Sequence, residues 1–143
     1  MIIISDNIQI KFVNSWNEDD IVDLYKLGGW WKNSYKKSEI NSLISSSYVF
    51  AIVYDTKIKK AVGMGRVISD GRSDAYIQDT IIKPDYRNKG IGKKLVKKLI
   101  EYCLESGIRW IGLISEPGSE KFYQNIGFKV MKNYTPMIYK VEE

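Results

Sequence analysis

"IIKPDYRNKGIGKKLVKKLI", residues 81–100, carries a strand end, a turn and a helix in one stretch. Ile81 and Ile82 close an apolar run that stops at Pro84. A basic turn follows, with glycines at 90 and 92. Beyond it Ile91, Leu95, Leu99 and Cys103 recur at helical spacing as one apolar stripe, with Val96 and Ile100 beside it. Lys93, Lys94, Lys97 and Lys98 lie mostly off that stripe. The spacing predicts a helix over 90–106, with Gly107 as its C-terminal cap.

The flanking chain supplies the rest of a sheet. "NIQIKFV" alternates as a first strand, and "NEDDIVDLYKLGGW" has a helical spacing that Gly28 and Gly29 end. "KKSEINSLISS" reads as a second short helix. "SYVFAIVYD", "AVGMGRVIS" and "DAYIQDTIIK" read as three strands of a meander. After the glycine turn and its helix, "IRWIGLI" reads as a buried strand and "SEKFYQNI" as a short helix. "FKVMKN" and "MIYKVEE" read as final strands. The order is β-α-α-β-β-β-α-β-α-β-β. A meander followed by a β-α-β crossover implies an α/β fold with a mixed, mostly antiparallel sheet flanked by helices on both faces. No repeat or linker divides the chain, so residues 1–143 read as a single domain.

Composition narrows the chemistry. There is no histidine and one cysteine, which leaves no imidazole base and argues against a zinc site. Cys103 falls within a helical apolar pattern and reads as a buried structural thiol. A lone cysteine fits a reducing cytoplasm. No apolar run approaches a bilayer span, and "MIIIS" is no secretory signal, so no membrane partner is expected. The net charge is +5, and residues 83–109 carry all of it, with eight basic and three acidic residues. A patch this local fits a localised polyanion. Charge alone does not separate a phosphorylated cofactor from nucleic acid.

Two phosphate loops fail on spacing. A Walker loop needs glycine where Arg87 stands and Ser or Thr where Lys94 stands. A dinucleotide fingerprint needs a third glycine where Leu95 stands. The physics of an anion site survives both rejections. The first N–H groups of a helix have no internal partner and point outward at the positive end of its dipole. Glycines there let an anion approach the backbone. From the residues alone, the turn is equally a plain strand-to-helix connection beside a solvated basic helix.

"Arg87-Asn88-Lys89-Gly90-Ile91-Gly92" resembles the R/Q-x-x-G-x-G/A signature of the GNAT superfamily of acetyl-CoA-dependent N-acetyltransferases. "IIKPDYRNKGIGKKLV" is similar to that family's V-x-P-x-Y-R-x-x-G-x-G segment, and "EKFYQNIGF" to its later F/L-Y-x-x-x-G-F segment. The element order agrees over nearly the whole chain. "RVISDGRSDAYIQDTIIKPDY" is also similar to small bacterial members near the aralkylamine-type group.

The resemblance implies acetyl-CoA as cosubstrate, an amine as acceptor and no metal. Arg87, Asn88, Lys89, Gly90, Ile91, Gly92 and Lys93 would hold the pyrophosphate with backbone N–H groups and charge. The preceding strand, 76 to 82, would splay from its neighbour so that the pantetheine arm pairs with it at Ile81 and Ile82. A backbone N–H near Thr80 or Ile81 would face the thioester oxygen, a contact worth on the order of 3 kcal/mol in comparable sites. Tyr123 matches the family tyrosine that protonates the departing thiolate.

Proton removal from the amine is less determined. An alkylamine of pKa ~10 is neutral about 0.1% of the time at pH 7. Asp79, an acid within an apolar strand, is the leading base, and it reads equally as a hydrogen-bonding residue that orients backbone or substrate. Glu116 stands where many relatives carry Asn, so its role stays open. Strand alternation puts Gln78 and Asp79 on opposite faces unless a bulge intervenes. Trp30, Trp31 and Tyr35, in "LGGWWKNSYKKSE", would wall an acceptor site, or in part simply pack the core.

Two other classes compete with the enzyme: a catalytically silent acyl-CoA-binding domain of the same fold, and a small basic nucleic-acid-binding domain. Retention of Tyr123 and Asp79 argues against the first, and charge concentrated at one loop against the second. The sequence names no acceptor, and it allows a homodimer without arguing for one.

Overall fold

Alternating apolar residues in consecutive segments build one sheet in the computed structural model, which describes residues 2–142. The chain forms two compact units, Met1–Leu113 and Ile114–Glu143. In the first, the described strands are β1 (Ile2–Ile3), β2 (Ile8–Phe12), β3 (Val49–Asp55), β4 (Lys60–Ser69), β5 (Asp74–Ile82) and β6 (Trp110–Gly112). They lie side by side in chain order. Every pairing is antiparallel except β5 with β6, which is parallel. The fold is thus α/β, with a mixed, mostly antiparallel sheet.

Three helices flank the sheet: α1 (Glu18–Leu27), α2 (Ile40–Ser46) and α3 (Ile91–Glu105). The α1 start is set by Asn17, whose Oδ1 accepts from the Asp20 N–H at 3.0 Å, with acidic residues in the first turn. A 3-10 turn at Lys37–Glu39 leads into α2. Helix α3 ends in a Schellman motif. Gly107 takes φ 87°, its N–H donates to the Leu104 carbonyl at 3.0 Å, and the Ile108 N–H donates to that of Cys103 at 3.0 Å.

Alternation along the central strands assigns the faces. Phe50, Ile52 and Met64 join Ile21, Leu24, Ile40 and Ile44 in one buried cluster with α1 and α2. One residue further along β4 the direction reverses: a Cβ at Gly65 would lie 3.2 Å from Leu99 and 3.6 Å from Leu95 of α3. Helices therefore cover both faces. Leu95, Leu99 and Cys103 are fully buried, each leucine worth about 1.5–3 kcal/mol in removed apolar surface. Burial pushes the Cys103 thiol up, in keeping with a structural role.

Three differences from the sequence reading stand out. An extra strand, β1, pairs with β2. β6 is shorter than the expected buried strand and half exposed, because in this sheet it has β5 as its one neighbour. The two final strands read in "FKVMKN" and "MIYKVEE" are not formed among the described residues. The second unit holds α4 (Glu120–Gln124), and apolar residues beyond it, including Val130, Met137 and Ile138, are exposed. The described residues from 129 to 142 are all exposed, with no face buried as a strand on a sheet would bury it.

One buried carboxylate fastens the end of β3 to the chain entering the glycine turn. Asp55, 4% exposed, accepts from the Tyr86 hydroxyl, from Asn7 Nδ2 at 3.1 Å and from the Lys57 N–H at 2.9 Å. The Tyr86 bond leads in holding the Asp55 carboxyl below its usual range. The same bond, with burial, pushes the Tyr86 phenol up to about 12. A depressed carboxylate pKa means stability present above the unfolded value of about 3.9 and lost as pH falls through the lower folded value. Asp55→Asn should lower stability at pH 7 by roughly 1–3 kcal/mol. That deficit should shrink as pH drops below about 4. Paired melts across pH check this, and a deficit equal at pH 7 and pH 3 would contradict it.

Candidate functional site

β5 has one residue more than β4 can match. Met64 pairs with Ile81 and Arg66 with Gln78, so Gly65 alone faces both Asp79 and Thr80. This is a β-bulge, and Asp79 adopts it in the left-handed region at φ 57°. The conformation costs an ordinary residue about 1–2 kcal/mol, with Asp and Asn the best tolerated after glycine. The bulge changes the facing pattern. Ile77 pairs with Val67, two residues from Gly65 and so on the α3 face, and Ile82 reaches the same face beneath Gly63. Their odd spacing of five would otherwise put them on opposite faces.

Two glycines in "AVGMGRV" make room. A Cβ at Gly63 would lie 2.6 Å from Ile82 Cδ1, and one at Gly65 would lie 3.2 Å from Thr80 Oγ1. Both sit where β5 presses against β4. Thr80 Oγ1 is buried and has no hydrogen-bond partner among the described residues.

Asp79 faces α1. Its Oδ2 accepts from the Tyr25 hydroxyl at 2.8 Å and from Arg66 Nε at 2.6 Å. Arg66 and Asp79 are mostly buried, with side chains 16% and 19% exposed, so the pair is a charge-assisted bond in low dielectric. Arg66 also reaches Ser47 Oγ, just past α2, at 3.5 Å. Burial, then the charge of Asp79, pushes the Tyr25 phenol far up, so it remains a donor at any working pH. Gln78, opposite Arg66, shares this side of the sheet with Asp79. The bulge overrides the opposite-face expectation.

The outer edge of β5 opens beyond its start. β6 pairs with Asp74, Ala75 and Tyr76 only, so from Ile77 to Ile82 no described strand lies on that side. Ile81 packs half-buried on the α1 cluster and Ile82 is buried. The strand then runs through a 3-10 turn at Pro84–Tyr86 into the basic loop. Arg87, Asn88, Lys89 and Gly90 are exposed. Arg87 Nε donates to the Ile82 carbonyl at 2.8 Å, and Lys89 Nζ lies 5.9 Å from the centre of the Tyr86 ring. Asn88 and Gly90 take φ 62° and 78°, and Gly90 is the N-cap residue of α3 with open space where a Cβ would stand. Ile91 is buried, Gly92 half-buried and Lys93 exposed. The loop thus ends in free helix N–H groups beside lysines, a geometry suited to an anion.

On the α1 side, Trp30 and Trp31 are partly buried against the core. The Trp30 ring lies over Gly28, whose Cβ would fall 2.6 Å from it, and stands edge-on to Tyr25 at 6.2 Å. Trp31 stands edge-on to Tyr35 at 5.5 Å, and Tyr35 is 48% exposed. The structure therefore brings Trp30, Tyr25 and Asp79 into one connected group, with Trp31, packed on the same core cluster, edge-on to Tyr35.

Glu116 and Tyr123 belong to the second unit. Glu116 is exposed before α4, and its carbonyl accepts from the Ser119 N–H at 3.0 Å. Tyr123 is half-buried within α4, edge-on to Phe122 at 5.0 Å and to Phe128 at 5.7 Å. Its carbonyl accepts from the N–H groups of Ile126, Gly127 and Phe128.

Sequence reasoning missed Tyr25, Arg66, Asp55 and Tyr86. The one available signal was the isolated glycines inside β4, which mark a bulge or close approach but not its partners.

Known proteins are similar to this chain in sequence and fold. The acetyltransferase (GNAT) family model matches residues 11–128. The chain is 32% identical over 124 residues to an uncharacterised N-acetyltransferase, ycf52, of Gracilaria tenuistipitata var. liui, covering 85% of this chain and 67% of that one. It is 35% identical over 111 residues to the chloroplastic GCN5-related N-acetyltransferase 2 of Arabidopsis thaliana, covering 74% of this chain and 43% of that one. Among solved structures, a GNAT-family acetyltransferase of Streptococcus pneumoniae TIGR4 superposes with a TM-score of 0.77 at 28% identity, over 95% of this chain and 99% of that one.

The unpartnered hydroxyl yields a stability test. Thr80→Val keeps shape and backbone N–H while removing a buried polar atom. The melting temperature should equal or exceed that of the parent, with a gain of up to about 1 kcal/mol. A clear drop would mean the hydroxyl is satisfied in solution.

Proposed function

The chain belongs to the acetyltransferase (GNAT) family, and from that premise we propose that it transfers the acetyl group of acetyl-CoA to a primary amine by direct attack. The observation that carries this reading is the open outer edge of β5 from Ile77 to Ile82, leading straight to the basic loop at the start of α3. An extended pantetheine arm needs backbone groups to pair with, and its pyrophosphate needs helix N–H groups a short way on. The chain offers both in sequence.

In this reading Arg87, Asn88, Lys89, Gly90, Ile91, Gly92 and Lys93 receive the pyrophosphate. The pantetheine amides pair along Ile81 and Ile82, and the thioester oxygen meets an N–H at Thr80 or Ile81. The free amine attacks the carbonyl carbon and the oxyanion collapses. The C–S bond breaks, and Tyr123 gives its proton to the thiolate. The ammonium gives up one proton to water before the attack, and the second, shed by the nitrogen as the amide forms, returns through water to the phenol. Trp30, Trp31 and Tyr35 supply the aromatic acceptor wall, with Glu116 as a second acceptor-side group. Residues 1–143 act as one acetyltransferase domain, in a reducing compartment such as the cytoplasm.

Calorimetry with acetyl-CoA and thiol release over a panel of amines test the proposal. Binding without thiol release from any amine would indicate a silent acyl-CoA-binding domain. Gly92→Val should weaken acetyl-CoA binding sterically in a folded protein, and unchanged affinity would remove the loop from cofactor binding. Tyr123→Phe should cut turnover by roughly 10²–10⁴ with acetyl-CoA affinity nearly constant. Full activity in that variant would assign the proton to water instead.

A further inference from the structure

Asp79 raises a problem that the family reading leaves open. Glycine would satisfy its left-handed backbone without strain. An acid there needs another reason, and Oδ2 supplies one by accepting from both Tyr25 and Arg66. The partners lie on α1 and β4, so three elements meet at a single oxygen. Thr80 and Ile81 follow immediately, and their N–H directions depend on how the bulge is seated.

We infer that Tyr25, Asp79 and Arg66 form a clamp that holds the bulge of β5 in register and so sets the directions of the Thr80 and Ile81 N–H groups. Tyr25 and Arg66 are then positioning residues for acetyl transfer, and Asp79 is an anchor rather than the base. The catalytic part of this inference rests on the acetyl-transfer reading above; the structural part does not.

A bulge re-aims the residues around it, and an unanchored one can shift by a residue and send each following side chain to the other face. Ile77 and Ile82 already bury on the α3 face, so a shift would turn one of them away from α3 toward the polar cluster on the α1 face. Asp79 closes the opposite face with a charge-assisted bond whose partners are themselves fixed. Arg66 sits within β4, and Tyr25 is 6% exposed on α1. Both donors take Oδ2, so any proton taken by Asp79 would have to go to Oδ1. Through Tyr25 the clamp continues to Trp30, so the acceptor wall and the thioester-facing backbone share one support.

The test uses the full chain with Tyr25→Phe, Arg66→Met, Asp79→Gly and Asp79→Asn. Tyr25→Phe keeps its ring packing, and Asp79→Gly keeps the backbone conformation, so folded variants remain even if Arg66→Met is unstable. Without substrates, amide exchange at Thr80 and Ile81 should rise about tenfold in Tyr25→Phe and Asp79→Gly. In steady state, kcat should fall roughly 10- to 100-fold, the cost of a displaced donor. KM for acetyl-CoA should stay within about threefold. The pH–rate profiles of all variants should parallel that of the parent. Unchanged exchange in folded Tyr25→Phe and Asp79→Gly would overturn the clamp. Recovery at high pH confined to the Asp79 variants would return Asp79 to the base role and overturn the anchor. If the parent turns over no amine, the acetyl-transfer reading fails, and the exchange measurement still decides the clamp.

Discussion

β5 carries one residue more than β4 can pair with, and much of the first unit is arranged around that surplus. The extra residue sits opposite Gly65, the one position there without a side chain to collide with Thr80. It lets Ile77 and Ile82 bury on the same face although their spacing is odd. It also bends the strand beyond the point where β6 has stopped pairing with it, so the open edge and the irregular backbone fall on the same few residues. A regular β5 would continue alternating, and the polar cluster on the α1 side would have no Asp79 to gather around.

Two carboxylates divide the work of holding this region. Asp79 fixes the strand from the α1 side, and Asp55 fixes the chain that follows it, through Tyr86. Each accepts from donors on segments far apart in sequence. Between them the backbone from Asp79 to Arg87 is held at both ends, and Arg87 adds a third tie by folding back onto the Ile82 carbonyl. Beyond it Lys93, Lys94 and Lys97 are exposed charge, while Lys89 lies 5.9 Å from the Tyr86 ring centre and the half-buried Lys98 pairs with Glu101 at 3.3 Å. Rigid backbone with mobile charge suits a site where dipoles must be fixed and counter-charge can adapt.

What the sequence made legible follows from local physics. The apolar stripe of α3, its glycine cap and the burial of Cys103 were readable because period and capping are short-range. The three-strand meander was readable for the same reason. The bulge at Gln78 and Asp79 was readable only as a condition on strand alternation, because a pair of glycines in the neighbouring strand does not say which residue is extra. The Tyr25 and Arg66 partnerships were not, because Tyr25 lies 54 residues and Arg66 13 residues from Asp79. β6 was over-read as buried, since Ile and Trp residues suggest a core strand whether or not a second neighbour covers them. The segment after α4 was over-read as strands because apolar residues in a short run do not by themselves create a surface to pack on.

The agreement between chain order and spatial order in the sheet bears on how the molecule assembles. β3, β4 and β5 are joined by short connections, from Asp55 to Lys60 and from Ser69 to Asp74, so their contacts close small loops with little entropy loss. Such local topology favours early formation of the meander during folding. The parallel contact of β5 with β6 must wait for the whole of α3 to form and dock, and it joins only three residue pairs. The seam beside the open edge is therefore a late and weakly held part of the first unit, with a low cost of local opening.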